Sequence, residues 1–189
     1  VYSQLMQRPQ PESVSYEDRH LFACLIAVAA QESADLATPL GLGQRELDSL
    51  LLLLFPGQSR ELLVRRPLSD NPSPAQSNPE VLKILLSHVP PDNHFQQDFI
   101  SLWLAQILAT RVSLPGHLWV AMGLTERPQL TAAIRRHLPD LAQANSQNMR
   151  WKRYLYKQIC DLNGGVMCKA PNCGVCSDYH LCFAEEDSD

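Results

Sequence analysis

Four of the chain's six cysteines, Cys168, Cys173, Cys176 and Cys182, fall within the fifteen residues CKAPNCGVCSDYHLC. Their spacing is C-x4-C-x2-C-x5-C. Several thiolates aimed at one centre suit a soft metal ion or an iron–sulfur cluster. The Cys173–Cys176 turn supplies two of them from one tight loop; Gly174 eases that turn and Pro171 stiffens the approach to it. The x4-then-x2 start equals that of plant-type ferredoxins, whose fourth ligand lies much further along the chain. Zinc sites usually pair two short C-x2–4-C units across a longer gap, which this segment fits less well. A zinc clip, an iron–sulfur site and a disulfide pair all stay open on spacing alone. His180, inside the segment, is a weaker alternative ligand.

The remaining two cysteines separate by helical geometry, at about 100° per residue. Cys24 shares a face with Leu21, Leu25 and Val28 and reads as a small core residue. Cys160 falls opposite the apolar stripe Trp151, Leu155, Ile159 and Leu162, beside Met149, Arg153 and Tyr156. That places it on a polar face eight residues before the first clustered cysteine, where it is a candidate additional metal contact. Arg150, Lys152, Arg153 and Lys157 precede the thiolates; such cations favour ionised sulfur, bind an oxyanion, face an acidic partner, or simply form a solvated helix face. His117, in GHLW, is either a helix-start histidine or a second candidate contact, since a mixed His/Cys site suits a soft metal. No phosphate-binding glycine loop, HExxH or nucleophile elbow occurs, so the expectation is a carrier or binding protein, not an enzyme.

The elements that must position these groups read as helices. Helical spacing marks 16–34, 45–55, 79–87, 93–112, 125–137 and 149–162, with Thr125 as an N-cap, Pro128 in a first turn and a break before Pro139. In the longest of them, Phe95, Phe99, Leu102, Trp103, Gln106 and Ile107 recur at core-facing intervals. No alternating strand pattern and no internal repeat appear. The expected fold class is all-α, an irregular helical bundle followed by a short cysteine-rich loop. The expected organisation is a flexible arm over 1–15, a helical domain over 16–165 with a Pro-rich linker at 66–79, the cysteine loop at 166–183 and an acidic tail at 184–189.

Composition narrows the functional class. A formal charge of −4 over 189 residues gives no global attraction to nucleic acid. The longest apolar run, Leu21 to Ala30, is far short of the roughly 18–20 residues that cross a bilayer. The opening VYSQLMQRPQPESVS holds no signal-peptide core and no initiator Met, so the expectation is a cytoplasmic protein whose natural N-terminus lies further upstream. In a reducing compartment clustered cysteines more often hold metal than form disulfides.

Residues 117–183, about a third of the chain, resemble the NifQ family of molybdenum-handling proteins of nitrogen fixation. The matching pieces are HLW, GL, Arg127, HLPDL, Asn145, NMRWKRYLYKQIC and CKAPNCGVCSDYHLCF, in one order. RHLFACL, from Arg19 to Leu25, is similar but more generic. The resemblance implies a carrier that holds an iron–sulfur cluster, of the 3Fe–4S or 4Fe–4S type, and delivers molybdenum to assembly of the nitrogenase iron–molybdenum cofactor. It implies Cys168, Cys173, Cys176 and Cys182 as cluster ligands, and it matches Cys160 and His117 to a cysteine and a histidine of the family. Implied partners are the cofactor-assembly scaffold, the nitrogenase reductase and molybdate. Ala121 departs from an expected acid after HLW, and Tyr154-Leu155 from an expected aromatic pair; the cysteine set is intact. A ferredoxin-like electron carrier and a zinc-stabilised interaction module remain the alternatives.

Overall fold

The computed structural model describes residues 1–59, 63, 76–91 and 95–164, with 95–98 in backbone only. The cysteine segment, its acidic tail and most of the Pro-rich linker lie outside the described residues. Among those residues there are ten helices and no strand, so the body is all-α as expected. No helix among them is long and apolar enough to cross a membrane.

Local chemistry sets most helix starts. α2 (Tyr16–Glu32) begins at Ser15, whose side chain accepts from the Asp18 amide at 3.0 Å. α4 (Gln44–Leu54) begins where Glu46 reaches back to accept from the Gly43 amide at 2.6 Å. α5 (Pro79–Ser87) has the bounds read from the sequence: Asn78 Oδ1 accepts from the Glu80 and Val81 amides, both at 3.1 Å, and Pro79 opens the first turn. α8 (Arg127–His137) carries Pro128 in its first turn as expected, but its N-cap is Glu126. Thr125 instead donates its N–H and hydroxyl to Gln129 Oε1, at 3.2 and 3.3 Å. Pro139 does not merely end α8; it opens a further short helix, α9 (Pro139–Ala144).

α6 (Phe95–Arg111) runs through the middle and packs on α3 (Ala37–Leu40), α4, α5 and α8. Leu104, Ala105, Ile107, Leu108 and Ala109 are all inaccessible, so it is buried nearly all round. Phe99 and Leu102, expected in the core, are about 40% and 39% exposed; they line a groove of about 610 Å³ with Leu53 and Leu86. At the α3–α6 contact Gly41 has φ +67°, and a Cβ there would lie 1.9 Å from Thr110 Oγ1. Only glycine allows that approach, which also lets Gln106 Nε2 donate to the Gly41 carbonyl at 3.0 Å.

Part of the first fifteen residues is packed against the body, while Gln7, Pro9, Gln10, Glu12 and Ser13 are exposed. α1 (Tyr2–Met6) lies on α2, with Leu5 fully buried and Val14 buried. Its ordering comes from Arg19, a buried cation that donates to the carbonyls of Leu5, Arg8 and Leu54 at 3.2, 2.8 and 3.1 Å. Its guanidinium also sits 5.5 Å over the Phe55 ring. One side chain thus gathers α1, α2 and the end of α4, and only an arginine fork supplies that many donors in one plane.

A second buried polar group joins α2 to α6 and α8. Asp18 Oδ1 accepts from His137 Nε2 at 2.7 Å and from Arg136 at 2.9 Å, while Ser101 Oγ lies 3.2 Å from His137 Nδ1. Burial alone would raise the Asp18 carboxyl, but the His137 hydrogen bond and charge, then Ser15 and Arg136, outweigh it and bring it down to about 2. A carboxyl lowered on folding stabilises fully above its unfolded value near 4 and loses that contribution as pH falls through about 2. The contribution is about 2 kcal/mol. Urea midpoints are therefore expected to drop between pH 5 and pH 2.5 in the parent chain and to drop less in Asp18→Asn.

Candidate metal centre

α10 (Trp151–Leu162) leads towards the cysteine segment, and four contacts fix it. Asn145 closes the approach to it, donating to the Met149 carbonyl at 2.8 Å and accepting from the Met149 amide at 2.9 Å. Asn148, at φ 52°, makes the turn between them, in the left-handed region that asparagine tolerates. Trp151 Nε1 donates to Thr131 Oγ1 of α8 at 3.0 Å, with Tyr154 edge-on to the indole at 5.9 Å. At the far end Asn163 Nδ2 donates to Glu80 Oε1 of α5 at 3.4 Å.

The fourth contact concerns His117. Lys152 Nζ donates to the carbonyls of Leu114 and Gly116, at 2.5 and 3.3 Å. One turn later Tyr156, buried so that its phenol is pushed up, hydrogen-bonds Ser113 and Asn78, which pull it back in part. The 113–116 turn therefore runs antiparallel to α10, with Ser113 beside Tyr156 and Gly116 beside Lys152. His117, next in the chain, stands at the N-terminal end of α10 as the N-cap of α7 (Leu118–Ala121). It is half-buried and stacks on Trp119 at 6.2 Å between ring centres.

Cys160 lies elsewhere. Eight residues beyond Lys152, it is about 12 Å further along the helix axis. The expected polar face is also corrected: Cys160 is buried, as are Tyr154 and Tyr156, whereas Leu162, assigned to the apolar stripe, is 73% exposed. α10 is packed on two sides, by α8 and by α5 with the 113–116 turn, so a single stripe does not describe it. Cys24, by contrast, is buried as expected. The structure thus does not bring His117 and Cys160 together. No group of three His, Cys, Asp or Glu side chains among the described residues is placed to hold a metal ion.

The four expected cations have different employments. Lys152 is engaged by two carbonyls, and Lys157 pairs one turn along with Asp161 at 2.5 Å, both groups half-exposed. Arg150 and Arg153 are half-buried at the N-terminal half of α10. The basic helix is therefore partly an anchoring device, which charge counting cannot reveal. Lys152→Met keeps the aliphatic stem and removes the charged donor; it is expected to cost about 2 kcal/mol in urea unfolding. Lys157→Met, which touches only an exposed pair, is expected to leave the midpoint where it was. Asn145 was singled out only through the family resemblance; its hydrogen bonds show it to be the latch before α10. Cys168, Cys173, Cys176, Cys182 and His180 lie outside the described residues.

A protein-family model described as NifQ matches residues 21–184. The chain is 31% identical over 176 residues to the Protein NifQ homolog of Sinorhizobium fredii, covering 91% of this chain and 74% of that protein. It is 38% identical over 107 residues to Protein NifQ of Azotobacter vinelandii, covering 57% of this chain and 53% of the relative. With Protein NifQ of Rhodobacter capsulatus it shares 45% identity over 84 residues, 44% of this chain and 47% of the relative. The chain thus spans about half the length of the latter two proteins. No solved structure matches it. The matched residues run from within α2 through α10 to every clustered cysteine, and the chain belongs to the NifQ family.

Proposed function

We propose that the protein is an iron–sulfur carrier that takes up molybdenum and donates it to assembly of the nitrogenase iron–molybdenum cofactor, acting in the cytoplasm and not as an enzyme. The observation that carries this reading is the C-x4-C-x2-C-x5-C set inside a family match that runs to residue 184. Four closely spaced thiolates are the donor set an iron–sulfur cluster takes, and Cys168, Cys173, Cys176 and Cys182 would hold it. A bound cluster would supply soft sulfide ligands to the cargo metal. Arg150 and Arg153, whose guanidiniums suit an oxyanion, would draw in molybdate or offset the charge of the thiolates. Lys152 and Tyr156 hold the turn that ends at His117, so an imidazole contact to the cargo would come from a fixed position. The assembly scaffold and the nitrogenase reductase are the proposed partners.

The test is metal and acid-labile sulfide content of anaerobically purified protein from cells grown with molybdate. Iron and sulfide with molybdenum is the expected result. Iron and sulfide that never take up molybdenum, even with added molybdate and reductant, would replace the carrier with an electron-transfer protein. One zinc and no sulfide would overturn the cluster itself.

A further inference from the structure

The groove on α6 is apolar and open to water among the described residues. Leu53 of α4, Leu86 of α5 and Phe99, Leu102 and Trp103 of α6 line its volume of about 610 Å³. Leu86, Phe99 and Leu102 are 42%, 40% and 39% exposed. The Phe99 and Trp103 rings stack at 5.8 Å with 29° between their planes and give the groove an aromatic floor. Contiguous apolar surface of this kind is stabilised by whatever covers it. Cations stand at its edges: Arg45 lines one side, and Lys83 lies one turn before Leu86 on α5, both exposed. Glu46 also lines the groove, with its Oε2 turned to the Gly43 amide at 2.6 Å. The occupant selected by these groups has a large apolar side chain followed by acidic ones.

The chain itself carries such a stretch. Phe183 is followed by Glu185, Glu186, Asp187 and Asp189. Its point of departure from the body is close to the groove. Asn163 Nδ2, at the end of α10, donates to Glu80 Oε1 at the start of α5, at 3.4 Å. Leu86 is six residues further on, about 9 Å along the same helix. At roughly 3.3 Å per residue the stretch from Gly164 to Phe183 spans up to about 60 Å. Even with Cys168 to Cys182 gathered on one centre, the residues from Gly164 to Cys168 and from Cys182 to Phe183 supply about 16 Å. A tethered segment meets its seat at an effective concentration of order millimolar, so a contact too weak to hold a free peptide suffices.

We propose that residues 183–189 dock in this groove, with Phe183 against Leu86, Phe99 and Leu102 and the acidic residues towards Arg45 and Lys83. Phe183 directly follows Cys182, so docking fixes one end of the cysteine segment against the helical body. The contacts are apolar and ionic, and none of them requires a metal at the cysteines. Salt screens the acidic share and leaves the Phe183 share in place.

The test places the photoreactive residue p-benzoylphenylalanine at position 183 of the full chain, purified anaerobically. Irradiation followed by mass spectrometry of the digest locates the bond that forms. A cross-link within one chain to Leu53, Leu86 or Leu102 is expected, and its yield is expected to fall several-fold when Arg45→Gln and Lys83→Gln are added. A cross-link to another part of the chain, one between two chains, or none overturns the proposal. Phe183→Ala gives a second reading without the bulkier ring. The dye 1-anilinonaphthalene-8-sulfonate binds exposed apolar surface. Its uptake is expected to rise by one equivalent over the parent chain, and Leu86→Glu is expected to remove the rise. Equal uptake by the parent and by Phe183→Ala overturns the proposal, the groove then being open in both or covered by something else in both. Neither readout depends on iron, sulfide or molybdenum, so the docking stands or falls apart from the carrier reading.

Discussion

Glu32→Ala is expected to destabilise the fold by about 3–5 kcal/mol, and more than Arg111→Met does. Arg111 is fully inaccessible, and its fork binds both Glu32 oxygens, Nη1 to Oε2 at 2.6 Å and Nη2 to Oε1 at 3.0 Å. Its Nε donates to the Ala121 carbonyl at 2.7 Å, and Nη1 also reaches Pro39 O at 3.5 Å. One buried cation thereby ties α2, α3, α6 and α7. Removing either partner breaks the pair, but the two losses are unequal. Glu32 is 35% exposed and can turn to water when its partner goes. Arg111 cannot, so Glu32→Ala strands a charge in the interior. Urea unfolding with unchanged slope measures both. Glu32→Leu with Arg111→Met is expected to recover much of the loss, since an apolar pair leaves no charge unpaired. Should Arg111→Met prove the costlier change, the two stranded carbonyls, not the stranded guanidinium, would dominate the cluster.

Arg111 also shows what the sequence hides. It ends α6 in a sequence where a basic residue reads as a dipole-favoured, solvated terminus. Its burial depends on Glu32, 79 positions earlier, and no local pattern encodes that pairing. Arg19 and Asp18 are similar: each sits in an amphipathic-looking helix start, and each is buried by partners on other elements. What was legible is the punctuation. The bounds of α5 at 79–87 and Pro128 in the first turn of α8 were read from signals that act within a few residues of the ends they set. Single-face reading failed on helices with neighbours on more than one side. α10 hid Cys160 and exposed Leu162 for that reason, and α6 was buried where the stripe was not. Pro139 misled because proline both stops one helix and opens the next. α1 was not read from the sequence because it is only five residues long and fully buries one side chain, Leu5, with Tyr2 and Met6 packed beside it. The cysteine spacing can be read directly from neighbouring positions of the sequence, but the position of Cys160 relative to His117 needed the fold.

Cys173→Ala and Cys176→Ala are each expected to lose essentially all iron and sulfide while leaving the urea midpoint of the helical body unchanged. The two cysteines form the C-x2-C pair, the tightest pair of donors in the chain, and neither has a nearby substitute at the same spacing. The body does not depend on them: α10 is anchored by Trp151 to Thr131, by Lys152 to Leu114 and Gly116, and by Asn163 to Glu80, all before the cysteine segment begins. Cys160→Ser is expected to show the opposite split. Its thiol is buried, so a hydroxyl placed there must find a partner or cost about 1–3 kcal/mol, while iron content stays near that of the parent chain. Iron lost from Cys160→Ser at an unchanged midpoint would make Cys160 a ligand and would require the end of α10 to open before loading. A Cys173→Ala protein that retains full iron and sulfide would remove the C-x2-C pair from the cluster and with it the proposed assignment.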